Sequence, residues 1–330
     1  MKKILQLKPM LAAEPKSKGK LDQKYIDEIL DDPNWIGEEK LDGSRYLAHF
    51  HPDRIYFTSR RTSVVNGLQV EKGLNLPHLN RAVPKLVGTV LDGEIVTGVF
   101  GSHSSDVTSV MGSLPAEAID KQRKGDWVIY VGWDVLYYKG RNVMNLSLRC
   151  RHVLLRQSLA EWHSRYVKGV EGRGQDDKRD FLNHIWRNGG EGIILKYLDS
   201  PYLLDVRNKH YWVKVKMRRT FDVVIMGFTK PDKWTINAYD KKGLNRYYKH
   251  KWISAIRFGQ YKKGKLIEIG QTSGMSDTDR AFVSQNTKRL VGTVMEVKAQ
   301  EQFKSGALRH PRFICLRNDK DRRDCKLKDI

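Results

Sequence analysis

From Arg219 onward the chain breaks into five short runs rich in β-branched and aromatic residues: FDVVIMGF, WISAIRFGQY, KLIEIGQT, TVMEVKAQ and FICLR. Clusters of Gly, Asp or Lys separate them, the pattern of short strands joined by turns. Five such runs in about 110 residues suit a small antiparallel barrel of the OB type. The preceding part reads differently. Strand-like stretches (YLAHFH, RIYFTS, TVLDGEIV, WVIYVGWDVLYY, GIILKY, WVKVKM) mix with helical patterns around 21–31, 146–168 and 177–188. That mixture predicts an α+β domain with substantial antiparallel sheet over 1–217, followed by the barrel over 218–330. The segment KGVEGRGQDDKR (168–179) reads as a polar surface connection.

Charge follows the same division. The chain carries 60 Lys and Arg against 38 Asp and Glu, a net +22. Residues 218–330 hold 26 of the basic and 12 of the acidic residues, so they carry more than three times the net charge per residue of 1–217. A field of this sign favours a polyanionic partner, nucleic acid or an acidic membrane surface. No apolar run approaches the roughly 18 residues needed to span a bilayer. Lys8 and Pro9 interrupt the only signal-like start, so a cytoplasmic protein is expected. The three cysteines (Cys150, Cys315, Cys325) form no CxxC pair, which argues against a disulfide scaffold and a Cys-based zinc site. No GxxxxGK[ST] occurs, which excludes a P-loop NTPase. His49 and His51 alternate along a probable strand and read as structural.

What remains is an ordered series of Lys, Glu and Arg residues on short strand-like segments. EEKLDGSR (38–45) sets Lys40 where a strand enters an Asp-Gly turn. LDGEIV (91–96) repeats the turn and opens a strand with Glu94; GWDVLYYKG (132–140) is aromatic-rich. EGIILK (191–196) and WVKVK (212–216) follow, the latter with Lys214 and Lys216 on one strand face by alternation. RHPRFICLRNDK (309–320) closes the series. Each piece alone reads as structural; the order of all six does not.

The series resembles the six nucleotidyltransferase motifs of the ATP-dependent DNA ligases, a superfamily shared with RNA ligases and mRNA capping enzymes. The resemblance runs from KPMLA to the final R-x-D-K, over residues 7–320, and Lys-Leu-Asp-Gly favours the DNA ligases within it. It implies a nucleotidyltransferase (adenylation) domain followed by an OB-fold β-barrel, using ATP and Mg²⁺, with Mn²⁺ able to substitute. The implied reaction has three steps: a lysine takes AMP from ATP, AMP passes to the 5′-phosphate of a nick in duplex DNA, and the 3′-hydroxyl displaces it. Lys40 is the implied nucleophile, with Lys214 and Lys216 as neighbouring cations. Nearby positive charge favours the free amine that such a nucleophile needs.

By the same resemblance Glu38 lines the adenine pocket, Glu94 accepts from the ribose and Trp133 stacks on the base, with Tyr197 or Tyr130 as substitutes if Trp133 is core. Family members usually carry Phe or Tyr at the Trp133 position, and Trp keeps a π-face. Glu191 is the implied Mg²⁺ ligand, directly or through water; Lys196 closes the same motif, its contact with phosphate left open. Arg45 and Arg60, or Arg61 in place of Arg60, would grip the ribose or the nick phosphate. Arg317 and Lys320 of the R-x-D-K would orient the leaving pyrophosphate. Cys315 stands where many relatives have Arg.

Lys40 falls so early that an additional N-terminal DNA-binding domain is not expected. A basic insertion at about 229–252 offers another grip on DNA. It carries Lys230, Lys233, Lys241, Lys242, Arg246, Lys249 and Lys251 among five interleaved aromatics, and it fits a latch of the kind some minimal viral ligases use. A monomer acting in the cytoplasm of a bacterial cell or phage-infected host is expected. An RNA ligase or capping-type guanylyltransferase is the nearest rival, and a binding protein with a decayed catalytic half the more distant one.

Overall fold

In a computed structural model of the chain, the described residues are all except 1–3, 18–19, 98–103, 126, 175–176, 217–218, 237–241, 300–301, 304 and 328–330. The chain divides into two compact units, 1–216 and 217–330.

The first unit holds two principal sheets. In the larger, the spatial order is Val167–Gly169, Ile129–Tyr138, Val90–Val96, Ser44–Phe50, Ile55–Thr62 and Gln69–Glu71, with Arg141–Asn142 beside Ile129–Tyr138. All its pairs are antiparallel except the Val167–Gly169 edge. Its core gathers Phe50, Ile55, Phe57, Leu91, Ile95, Tyr130 and Trp162. The smaller sheet runs Gly172–Arg173, Trp35–Glu39, Gly192–Tyr197 and Trp212–Lys216, antiparallel throughout. Helices Gln23–Asp31 and Lys178–Arg187 contribute Ile26, Ile29, Phe181 and Ile185 to a core that includes Ile193, Leu195 and Val213 of this sheet.

The segment expected to be a plain connection at 168–179 contributes an edge strand to each sheet, Val167–Gly169 and Gly172–Arg173. Its glycines hid this: Gly169 and Gly172 sit where a side chain would press on Leu159 and on Glu38. Helices Ser104–Gly112 and Pro115–Lys124, not foreseen, cover the large sheet's core through Val107, Met111 and Ala118.

In the second unit, five antiparallel strands order as Lys265–Thr272, Ala255–Lys262, Arg219–Thr229, Val294–Ala299 and Arg312–Leu316. Helix Asp277–Gln285 lies between the third and fourth in sequence, capped by the Ser276 hydroxyl. The sheet's two outer edges also meet: Gly274 bridges Arg312 in parallel, the Phe313 amide donates to Gly274 O at 3.0 Å, and the Thr272 hydroxyl donates to Pro311 O at 2.7 Å. Ile225, Ile256, Phe258, Met295 and Val297 fill the interior. The basic insertion forms a two-stranded hairpin, Trp234–Ile236 with Lys242–Leu244, and a helical turn Arg246–Lys249.

Candidate active site

Two glycines set the backbone of the site. A side chain at Gly43 would lie 2.2 Å from Ile95 O, so only glycine lets the Lys40 turn pass this close to the Val90–Val96 strand. Gly192 holds φ +142 with Val215 O 2.0 Å from the position of a Cβ, which seats the residue after Glu191 against the Trp212–Lys216 strand.

Between these turns lies a lysine cluster. The Glu191 carboxylate bridges Lys40, through one oxygen, and Lys216, through the other. The strand register explains the meeting. Gly192 pairs with Lys216, Ile193 pairs with Glu39, and the Lys40 amide donates to Gly192 O at 2.9 Å. Lys214, one pleat away, pairs with Glu14 at 3.6 Å. Burial pulls the Lys214 ammonium below its usual range, and Lys216 and Arg207 add to this against Glu14.

Beside the cluster sits Glu94, whose carboxylate accepts from the Gly43 amide at 2.8 Å. Burial pushes its carboxyl up to about 7, against the pull of Lys40, the Gly43 amide and Arg45. The sign follows directly. With a folded value above the usual 4.5, the folded state holds a proton that the unfolded state has lost, so stability falls as pH rises through this window. Glu94→Gln is therefore expected to exceed the parent by roughly 2–3 kcal/mol at pH 8, with the advantage vanishing toward pH 4.5. Denaturant unfolding at the two pH values checks it, and a pH-independent difference would refute the assignment.

Arg45 is already engaged. Its fork binds Asp92 through Nε (2.9 Å) and Nη2 (2.5 Å), Nη2 also reaches the Tyr202 hydroxyl at 3.2 Å, and Tyr202 donates to Asp92 at 2.6 Å. Glu94 pairs with Arg45 in register, and Arg60 follows one step beyond the Tyr46–Ser59 pair, so all three share one face of the large sheet. Alternation turns Arg61 to the opposite face, where it acts on Tyr46. Arg60, not Arg61, is thus on the Lys40 side.

Trp133 is partly buried, with the Arg45 guanidinium 5.3 Å and the Lys196 ammonium 5.9 Å from its ring centroid. Its indole Nε1 is buried and without a hydrogen-bond partner in the structure. Tyr130 is fully buried in the core and Tyr197 packs on Trp35. Lys196 does not reach toward the lysine cluster: it is 2% exposed, pairs with Glu38 at 2.5 Å and lies 4.3 Å from the Trp212 ring centroid. His152 Nε2 is 3.1 Å from the other Glu38 oxygen, without hydrogen-bond alignment. Burial works to raise the Glu38 carboxyl, but Lys196 and His152 more than offset it and hold it below the usual range.

Arg317 and Lys320 belong to the second unit. Arg317 binds Asp319 twice (2.9 and 2.8 Å) and Asp222 at 3.2 Å, while Lys320 lies 3.5 Å from Asp222. Of the insertion, Lys230, Lys233, Lys249 and Lys251 are exposed and Arg246 pairs with Asp277. Trp234 and Tyr248 are exposed, whereas Tyr247 packs on Arg280 at 3.9 Å. Lys241 lies outside the described residues, and of Lys242 only the backbone pairing is described.

Sequence reasoning missed the partners: Asp92 and Tyr202 behind Arg45, Glu14 behind Lys214, His152 beside Glu38, and Asp222 behind the R-x-D-K. Only Asp92 carried a signal, sharing its strand face with Glu94 at a spacing of two.

A model of the ATP dependent DNA ligase domain matches residues 9–216, and the chain belongs to that family. A DNA ligase of Archaeoglobus fulgidus is 28% identical over 321 residues, covering 86% of this chain and 52% of its own. DNA ligase 1 of Korarchaeum cryptofilum is 26% identical over 349 residues, covering 95% and 57%. The chain thus spans about half the length of these curated relatives. Among solved structures, one named Pmar-Lig_Pre. matches with TM-score 0.65 at 19% identity, over 95% of this chain and 68% of the other. A structure from an analysis of Lig E DNA ligases, described as DNA binding with a minimal scaffold, matches with TM-score 0.62 at 16% identity, over 94% and 99%. At these identities the likeness concerns the fold. Among the described residues no helix is long and apolar enough to cross a membrane.

Proposed function

We propose that this protein seals 5′-phosphate/3′-hydroxyl nicks in duplex DNA with ATP, through a lysyl-AMP on Lys40 and then a DNA-adenylate. The observation that carries the reading is the convergence of Lys40, Lys216 and Glu191 at one point, next to Glu94 and Arg45. The Lys40 amine attacks the α-phosphorus, the bond to the bridging oxygen breaks, and pyrophosphate leaves. Glu191, paired with Lys40 and Lys216, would accept the amine's proton, and Lys214 and Lys216 would neutralise the α-phosphate. Trp133 presents a π-face for the base, beside the Glu38–Lys196 pair, and Glu94 takes the ribose hydroxyl.

The residues fit Mg²⁺. No group of three or more His, Cys, Asp or Glu forms a cage among the described residues, and Glu191 offers a single carboxylate. That donor set suits an ion which takes most of its ligands from substrate phosphates and water. With both of its oxygens paired to Lys40 and Lys216, Glu191 would hold Mg²⁺ through water, and the ion would supply charge neutralisation on the phosphates.

We assign residues 1–217 to the adenylation domain and 218–330 to an OB-fold barrel. What supports the barrel is its strand order, with the first strand central, the helix before the fourth, and parallel contact closing the third on the fifth. Arg317 and Lys320 are assigned to the pyrophosphate, for which they must exchange Asp222 for the ligand. Arg60 is the better candidate for the nick phosphate than Arg45, since it is exposed and the Arg45 fork is held by Asp92.

The insertion at 229–252 is proposed as the DNA latch. Replacing Lys230, Lys233 and Lys249 together by Ala is expected to flatten the salt dependence of nicked-duplex binding by up to about 0.9 per lysine in log–log slope, and to leave self-adenylation unchanged. Unchanged affinity and slope would remove the latch.

The reading itself is tested by incubation with radiolabelled ATP and Mg²⁺, then addition of nicked duplex. A covalent AMP label that nicked DNA discharges into sealed product is expected. A label discharged only by nicked RNA would move the assignment to the RNA ligases. No label from ATP or GTP would leave a binding protein.

A further inference from the structure

Helix Asp277–Gln285 grips the far end of the basic insertion with one face. Asp277, Arg280 and Ser284 recur at helical spacing on that face. Asp277 pairs with Arg246. Arg280 is 1% exposed, and its guanidinium donates to Ile253 O at 2.7 Å, to Ser254 O at 2.6 Å and to Ser273 O. Its Cζ lies 3.9 Å from the centroid of the Tyr247 ring. The Ser284 hydroxyl accepts from the Ile253 amide at 3.0 Å and donates to Arg280 O at 2.6 Å. A buried guanidinium is tolerated only where its donors find acceptors. Here the acceptors are the chain leaving the insertion and the loop before the helix, so one side chain ties the two together.

Between these anchors the backbone reverses tightly. The Asn245 carboxamide accepts from the Tyr247 amide at 2.9 Å, the Trp252 amide donates to Tyr247 O at 2.8 Å and the Lys251 amide to Tyr248 O at 3.1 Å. Lys251 takes φ +57, a left-handed conformation that a lysine keeps only where its surroundings impose it. This fixed backbone shows Tyr248, Lys249 and Lys251 to solvent, and beside them His250 stacks on Trp252 with centroids 4.7 Å apart. Cations next to exposed and stacked rings suit a nucleic-acid backbone and its bases. A surface ordered before it meets its partner loses little freedom on binding.

We infer that the Arg246–Trp252 part of the insertion is a preformed platform for the duplex, and that Arg280 is the positioning residue that mounts it on helix Asp277–Gln285. This rests on the assignment of the insertion to DNA above. Arg280 is buried and meets no DNA itself; it acts through the residues it holds in place.

The test is nicked-duplex binding by the full chain at one ionic strength. Arg280→Lys keeps a positive charge but lacks the fork that spans the carbonyls. It is compared with the parent, and again in a background where Tyr248, Lys249 and Lys251 are all replaced by Ala. A loss of about tenfold in affinity is expected in the parent, with no further loss in the alanine background. No loss in the parent, or equal losses in both backgrounds, overturns the mount, since a general weakening of the barrel would act whether or not the platform residues are present. Should Arg280→Lys not fold, Tyr247→Leu makes the same comparison, because it leaves the three carbonyl bonds of Arg280 intact. Failure of the latch reads differently: the three alanines alone would then leave affinity unchanged, which overturns the platform as well. Absence of any AMP label in the parent would overturn the ligase reading instead, since duplex binding still reads the mount.

Discussion

Lys40→Arg is expected to accumulate no covalent AMP from labelled ATP, and Lys40→Ala likewise. The arginine variant is the sharper of the two. It preserves the positive charge and the pairing with Glu191, yet a guanidinium cannot shed a proton at any accessible pH, so it cannot be a nucleophile. Lys216→Arg keeps a cation against the other Glu191 oxygen and should retain part of the label. The measurement is label retained on a denaturing gel, beside nicked-duplex binding, which both Lys40 variants should keep. Undiminished label in Lys40→Arg would place the covalent bond elsewhere.

The second large effect concerns stability. Arg151 and Asp134 are both wholly buried and joined by two bonds, Nε to Oδ1 at 2.7 Å and Nη2 to Oδ2 at 3.0 Å. The remaining Nη1 donates to Ser200 O at 2.8 Å and to Leu146 O. Arg151→Ala leaves Asp134 charged in the interior and strips two carbonyls of their donor, so a loss of about 3–5 kcal/mol is expected. Removing both charges by Arg151→Met with Asp134→Leu should cost much less, because no orphaned charge remains. Chemical unfolding of the two variants checks this; equal losses would mean that packing volume, not the stranded carboxylate, sets the cost. Asp134 follows Trp133 directly, so the pair also fixes the strand that carries the indole.

The strands were legible because alternation and punctuation wrote them locally. GIILKY coincides with Gly192–Tyr197, and WVKVK with Trp212–Lys216. Helix Pro115–Lys124 was not legible, since it has no apolar stripe. Proline at its start and the pairs Lys121–Glu117 (2.8 Å) and Lys124–Asp120 (2.6 Å) support it, and its buried side includes Gln122, which bonds Asn75 O. At the site, the carriers of charge were visible as motif residues, but the partners that hold them were not. Asp92 lies 47 residues from Arg45 and Tyr202 lies 157 away, and only folding selects them among many equivalent side chains. The same holds for Lys196, whose motif position says nothing of the Glu38 carboxylate that draws it inward.

The Glu191 bridge has a consequence for the resting protein on the proposed reading. With Lys40 tied to a carboxylate that also holds Lys216, the amine nitrogen is engaged in a pairing rather than open to a passing electrophile. An anionic phosphate can draw Lys216 away from Glu191, which leaves that carboxylate free to take the proton from Lys40. The lock and the key are then the same kind of group, and the reagent is unwrapped by the substrate it is meant to attack.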